Sequence, residues 1–162
     1  MLGVVTILSL AGRRGEACSC FQVGGGTRIP FDQFETVFLG TVSTVETIEV
    51  GEGAGRLKKR LVVFTTDSVW KGPHLSAQSV YTGLGGGDCG FVFEVGRQYL
   101  VTATEDGGPR VGQAFGKGDD TPFTDICMWT APVAEAGETI RQLERDFKRW
   151  KPRWRRSDQE WP

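Results

Sequence analysis

The four cysteines, Cys18, Cys20, Cys89 and Cys127, constrain this chain more than any other feature. An even number of cysteines fits a disulfide framework built in an oxidising compartment. Four cysteines allow three pairings. A Cys18–Cys20 bond is sterically poor on what should be extended chain. Two pairings remain, and in both Cys18 and Cys20 reach different partners. A structural zinc site would need four ligands in short paired spacings. Cys89 and Cys127 have no second ligand nearby, so the disulfide reading stands over the metal one.

The first residues agree with export. Leu2 to Ala11 is a ten-residue apolar run. A bilayer span needs about 20 residues, whereas this length suits the apolar region of a signal peptide. Gly15 and Ala17 then place small residues at −3 and −1 of a cleavage site before Cys18. We therefore expect a signal peptide over residues 1–17. The alternative is a buried first strand, since no basic residue precedes the run and Arg13-Arg14 follows it.

A chain of 162 residues with 39% apolar content supports one domain with a modest core. The 23 glycines and many β-branched and aromatic residues favour a turn-rich β fold over a helix bundle. Phe31 to Glu35 suggests one helical turn. Thr36 to Val50 (TVFLGTVSTVETIEV) reads as a long strand. Gly51 to Gly55 reads as a hairpin turn, and Leu57 to Trp70 as the returning strand. Val62, Phe64, Thr66, Ser68 and Trp70 should share one face of that strand. Ser79 to Thr82 and Gln98 to Thr104 are further strands, Phe91 to Phe93 a brief extended piece, and Arg110 to Phe115 a fifth strand.

Thr130 to Trp150 reads as a helix. Pro132 suits its first turn, acidic residues lie early and basic ones late, and Ile140, Leu143, Phe147 and Trp150 form an apolar stripe. Pro152 should stop it. Five strands, one long hairpin and a flanking helix fit an all-β, small Greek-key barrel. The domain is expected over residues 18–150, with a basic, Trp-containing tail over 151–162. From Phe147 to Pro162 the local net charge is +4: Lys148, Arg149, Lys151, Arg153, Arg155 and Arg156 stand against Asp158 and Glu160. The tail could attach to an anionic surface. The whole chain is near neutral, at −1, and is no electrostatic partner for nucleic acid.

Little in the sequence looks catalytic. An enzyme needs convergent acids, bases or nucleophiles. His74 is the sole histidine and should be a solvated turn residue. Asp119-Asp120 reads as a solvated loop. Gly83, Gly85, Gly86 and Gly87 could suggest a phosphate loop, but Asp88-Cys89 follows where Lys-Ser/Thr and a helix should. Without a Cys-x-x-Cys, a thiol redox role is disfavoured. We expect no enzyme, no cofactor, no metal of its own and a monomer.

The order of the pieces is informative. Cys18-Ser19-Cys20 stands near a cleavage site. Val37-Phe38-Leu39-Gly40-Thr41-Val42 and Val69-Trp70-Lys71-Gly72 follow. Asp88-Cys89-Gly90, then Val95-Gly96-Arg97-Gln98-Tyr99-Leu100-Val101, and finally Cys127 complete it. This order resembles the netrin-like module, and in particular the amino-terminal domain of the tissue inhibitors of metalloproteinases and their bacterial-type single-domain relatives. The resemblance runs from Cys18 to about Leu143.

That resemblance implies a five-stranded OB-type barrel and the pairing Cys18–Cys89 and Cys20–Cys127. It implies a mature chain that begins at Cys18, whose α-amino group and carbonyl bind the catalytic zinc of a metalloendopeptidase. Ser19 would face the specificity pocket. Cys20, with the loop Gly85 to Cys89 and so Gly87, Asp88 and Cys89, would complete the contact ridge. The chemistry is coherent. A catalytic zinc keeps one position open, and an α-amino group with pKa ~7.7–8.0 deprotonates easily near neutral pH. The second reading is a non-inhibitory netrin-like module that holds an envelope or matrix partner.

Overall fold

The computed structural model describes Cys18, Cys20 and residues 28–50, 57–105 and 121–151. The expected signal peptide, Ser19, the Gly51–Gly55 turn, the Arg110–Phe115 strand, Asp119-Asp120 and the tail after Lys151 lie outside the described residues.

Five strands form one antiparallel sheet: β1 (Thr36–Val50), β2 (Leu57–Lys71), β3 (Ala77–Thr82), β4 (Gln98–Ala103) and β5 (Ala131–Pro132), in the order β3-β2-β1-β4-β5. The long hairpin β1–β2 is its spine, and β1 is central because β4 takes its other edge from Thr36 to Thr41. β3 begins two residues before the expected Ser79. The stretch Phe91–Phe93 joins no strand. β5, which pairs Tyr99 with Pro132 and Leu100 with Ala131, is formed by residues expected to open the helix.

Both faces of the sheet are covered, so its strands alternate between two apolar clusters. Phe38, Val42, Val62, Phe64, Val69, Val80, Tyr99 and Val101 fill one, together with Phe93. Its rings meet edge to face, Phe38 on Phe64 at 5.2 Å and Phe93 on Tyr99 at 5.0 Å, the geometry that ring quadrupoles favour. Val37, Leu39, Trp70 and Leu100 point the other way, against Ile29, Phe31, Phe34 and Leu143.

The expected face of β2 holds for Val62 and Phe64 but not for Trp70. The β1–β2 register slips between Leu39, opposite Ser68, and Gly40, opposite Thr66, so that Asp67 is an extra residue in β2. An extra residue in one strand reverses the alternation beyond it. Val69 therefore joins Val62 and Phe64, while Trp70 turns to the opposite cluster.

The helix is also shorter than the sequence predicts. α1 spans Gly137–Asp146, not Thr130 to Trp150. At its start, Thr130 is bound to β4: its Oγ1 accepts from Thr102 N at 3.0 Å and donates to Thr102 O at 3.2 Å. Ala131 and Pro132 then extend the sheet. At its end, Phe147 turns extended, and Trp150 exchanges two backbone bonds with Val69, of 2.9 and 2.8 Å. Sheet pairing supplies backbone partners on both sides and so outcompetes helix propensity. Leu143 is fully buried, with Ile140 and Phe147 packed beside it. Trp150 leaves the expected stripe and packs against the other cluster.

α1 also fixes the segment that leads into the sheet. The buried Gln142 side chain accepts from Ile29 N at 3.1 Å and donates to Ile29 O at 2.9 Å, acting as a strand partner would. Beyond Ile29, Phe31–Gln33 forms a 3-10 turn. Lys71 Nζ donates to Phe31 O at 2.9 Å.

Candidate functional site

Two disulfides join Cys18 to Cys89 and Cys20 to Cys127. This is the pairing that the resemblance implies. Their Cα–Cα distances are 5.5 and 5.0 Å, and they span 71 and 107 residues. The two receiving loops are themselves joined, because Ile126 N donates to Cys89 O at 3.0 Å. Cys18 and Cys20 are thus held on adjacent loops.

Each loop is organised by one aspartate. In the loop after β3, the Asp88 carboxylate accepts from Leu84 N at 2.6 Å, Gly85 N at 2.8 Å and Gly90 N at 3.2 Å. In the second, Asp125 Oδ1 accepts from Cys127 N at 2.8 Å and Met128 N at 3.0 Å. Short side chains that bond the backbone a few residues on make such turns stable without strand or helix partners. Phe91 N, donating to Thr82 Oγ1 at 2.8 Å, anchors the far end of the first loop.

The glycines of this loop allow close approach. A Cβ on Gly90 would overlap the Gly83 carbonyl, and one on Gly83 would lie 2.6 Å from the Asp88 carboxyl carbon. Cys89 itself adopts φ +57°, in the left-handed region, a conformation in which non-glycine residues are uncommon. Gly87 is different. A Cβ there would meet nothing within 4 Å, so Gly87 stands clear of the fold.

The structure thus gathers Cys18, Cys20, Gly87, Asp88 and Cys89 at one place, while Ser19 lies outside the described residues. Sequence reasoning missed the apolar side chains there. Leu84, whose N–H bonds Asp88, and Ile126, whose N–H bonds Cys89 O, are exposed, and exposed Val92 has its Cγ2 4.0 Å from the place a Gly85 Cβ would take. No periodic pattern marks them, since all three stand on loops. The described clefts lie elsewhere. One, of about 410 Å³, is lined by Arg28, Glu138, Gln142, Arg145 and Asp146.

The carboxylates of Asp88 and Asp125 both accept from backbone N–H groups of their own loops, so the two loops present main chain with apolar side chains beside it. Among the described residues, no group of three His, Cys, Asp or Glu side chains could hold a metal. The Gly83–Gly87 stretch leads to no α-helix, and Asp88 accepts from its Leu84 and Gly85 amides. His74 is exposed but not isolated: its ring stacks on Trp150, with centroids 5.0 Å apart and planes within 9°.

No family model matches the chain, and neither does any curated protein.

Proposed function

We propose that this chain is a secreted metalloprotease-inhibitor-like protein that binds the catalytic zinc of a metalloendopeptidase through the amino terminus at Cys18. The observation that carries this reading is the clamp. Two disulfides fix Cys18 and Cys20 to adjacent loops that are joined by the Ile126–Cys89 backbone bond. A segment held at two points with one residue between them loses little conformational entropy when it enters a protein cleft. Ser19, between the clamps, would meet the specificity pocket, and Gly87, Asp88 and Cys89 would extend the contact.

We read the sheet as an OB-type, netrin-like barrel. Supporting this, Phe123 bridges Tyr81 of β3 on one side and Thr104, just after β4, on the other. The disulfides fit an oxidising compartment outside the cytosol. No helix among the described residues is long and apolar enough to cross a membrane. The partners proposed are a zinc endopeptidase at the ridge and an anionic surface at the basic tail.

The test compares a form that begins at Cys18 with one carrying a single added alanine. Both are assayed against zinc endopeptidases of the His-Glu-x-x-His type. An amide nitrogen has no lone pair for the metal, so the first form should inhibit and the second should not. Inhibition should also fade below the amine's pKa, because the protonated amine cannot coordinate. Equal potency of the two forms would overturn the mechanism. If neither inhibits, the non-inhibitory binding module becomes the better reading; the glycine-rich Gly85–Gly87 stretch, with few side chains to grip a protease, supports that alternative.

A further inference from the structure

We infer, on the inhibitor reading of the Cys18 ridge, that Val92 is a specificity-determining residue: it selects metalloendopeptidases whose cleft has an apolar rim where the ridge docks.

Val92 stands three residues after Cys89 and is 60% exposed. Its two neighbours hold it there. Phe91 and Phe93 both pack into the core cluster. Phe91 N donates to Thr82 Oγ1 at 2.8 Å, and the Phe93 ring meets Phe64 and Tyr99 at 5.3 and 5.0 Å. With a buried ring on each side, the valine between them faces out. It faces out against the ridge, because its Cγ2 lies 4.0 Å from the place a Gly85 Cβ would take. Gly85 N and Gly90 N donate to the same Asp88 carboxylate, so this flank is tied to the residue that precedes Cys89. Leu84, just before Gly85, is exposed as well.

The charged side chains of this flank already have partners. From Leu84 to Arg97 they are Asp88, Glu94 and Arg97. Asp88 accepts from three amides, and Glu94 pairs with Arg97 at 2.7 Å. What the flank adds toward a partner is therefore apolar area. Specificity is a difference of affinities. An apolar rim residue opposite Val92 gains from burial, whereas a charged one loses water there and finds no counter-charge. Main chain at Gly87 and a terminal amine at Cys18 would meet both kinds of protease alike, so Val92 is the side chain that tells them apart.

The test uses the full protein beginning at Cys18 and the panel of His-Glu-x-x-His zinc endopeptidases. Wild type, Val92→Ser and Val92→Glu are compared by inhibition constant and by melting midpoint. Both variants should melt with the wild type, because the side chain is exposed. On the strongly inhibited proteases Val92→Ser should be about fivefold weaker and Val92→Glu about a hundredfold weaker. On the weakly inhibited ones Val92→Ser should change little, so the spread of potencies across the panel should shrink. If Val92→Ser matches the wild type on every protease, or if Val92→Glu does, the side chain stays in water in the complex and its role is refuted while the inhibitor reading stands. An equal loss on every protease refutes selection by Val92 and again leaves the inhibitor reading standing. If the wild type inhibits no member of the panel, the inhibitor reading fails and the role of Val92 fails with it.

Discussion

Replacing Asp88 with alanine removes the acceptor that organises the ridge. Three backbone N–H groups, of Leu84, Gly85 and Gly90, converge on that carboxylate at 2.6 to 3.2 Å. A hydrogen bond to a charged group contributes about 1.5–3 kcal/mol where water is excluded. Asp88 is exposed, so water takes over part of each bond in the variant. We expect a net loss of about 2 kcal/mol, well under three times the single-bond figure. For a domain of this size that lowers the melting midpoint by about 4–8 °C. The effect should be local. Amide exchange should accelerate at Leu84, Gly85 and Gly90 while the amides of β1 and β4 exchange as before. Asp88→Asn keeps one carbonyl oxygen and should fall between the two. If the three amides exchange at wild-type rates in Asp88→Ala, the loop is held by the Cys18–Cys89 bond and the Gly83–Gly90 approach instead, and the role given to the carboxylate is refuted.

The remaining expectations concern the scaffold. Leu143→Ala empties a fully buried site under α1 and should cost about 2–4 kcal/mol; an unchanged denaturation midpoint would show that α1 does not cover the sheet in solution. Gln142→Leu leaves Ile29 N–H buried without its partner, while Ile29 O keeps the bond from Phe31 N, and should cost about 1–3 kcal/mol, read by the same midpoint. The Arg141 guanidinium, hydrogen-bonded to Glu138 and attracting it by charge, holds that carboxylate below its ordinary pKa. The pair's small contribution is therefore present above the ordinary glutamate range and lost as pH falls through the lowered value; Glu138→Gln should erase that pH dependence, and added salt should weaken it in the wild type. Cys20→Ser with Cys127→Ser opens a closure of 107 residues, which chain entropy values at about 4–5 kcal/mol. The variant should fold with Cys18 still tied to Cys89, and non-reducing peptide mapping would check the remaining bond.

The long strands were legible because their signals are local. Thr36–Val50 and Leu57–Lys71 carry β-branched residues on both faces, and both faces are buried where the strands are central. Face assignments failed where the cause was not local. Only the partner strand reveals the slip between Leu39 and Gly40 that carries Trp70 to the opposite cluster. The helix boundaries failed for the same reason. Thr130 to Pro132 and Trp150 have acceptable helical character, but β4 and Val69 offer them strand-like partners from distant parts of the chain. Propensity is worth tenths of a kcal/mol per residue, too little to resist that pairing.

The ridge was legible in its covalent frame and not in its surface. Cysteine spacing pointed to Cys18, Cys20, Cys89 and Cys127, and the flanking Gly and Asp marked a tight loop. What the spacing could not reveal is what satisfies the backbone of these loops. Asp88 and Asp125 spend their carboxylates on neighbouring amides, a contact within five residues that has no periodic signature. The apolar fringe escaped for a related reason. Leu84, Val92 and Ile126 are isolated in sequence, each on a loop that a hydropathy pattern would treat as polar; Val92 comes near Gly85, and Ile126 meets Cys89, only through the folded loops. A glycine-rich contact loop by itself offers a partner little beyond main chain. With those exposed side chains near it, the same loop offers apolar as well as main-chain contact. Any affinity measured at Cys18 should therefore depend on residues more than 60 positions away in sequence as well as on the terminus itself.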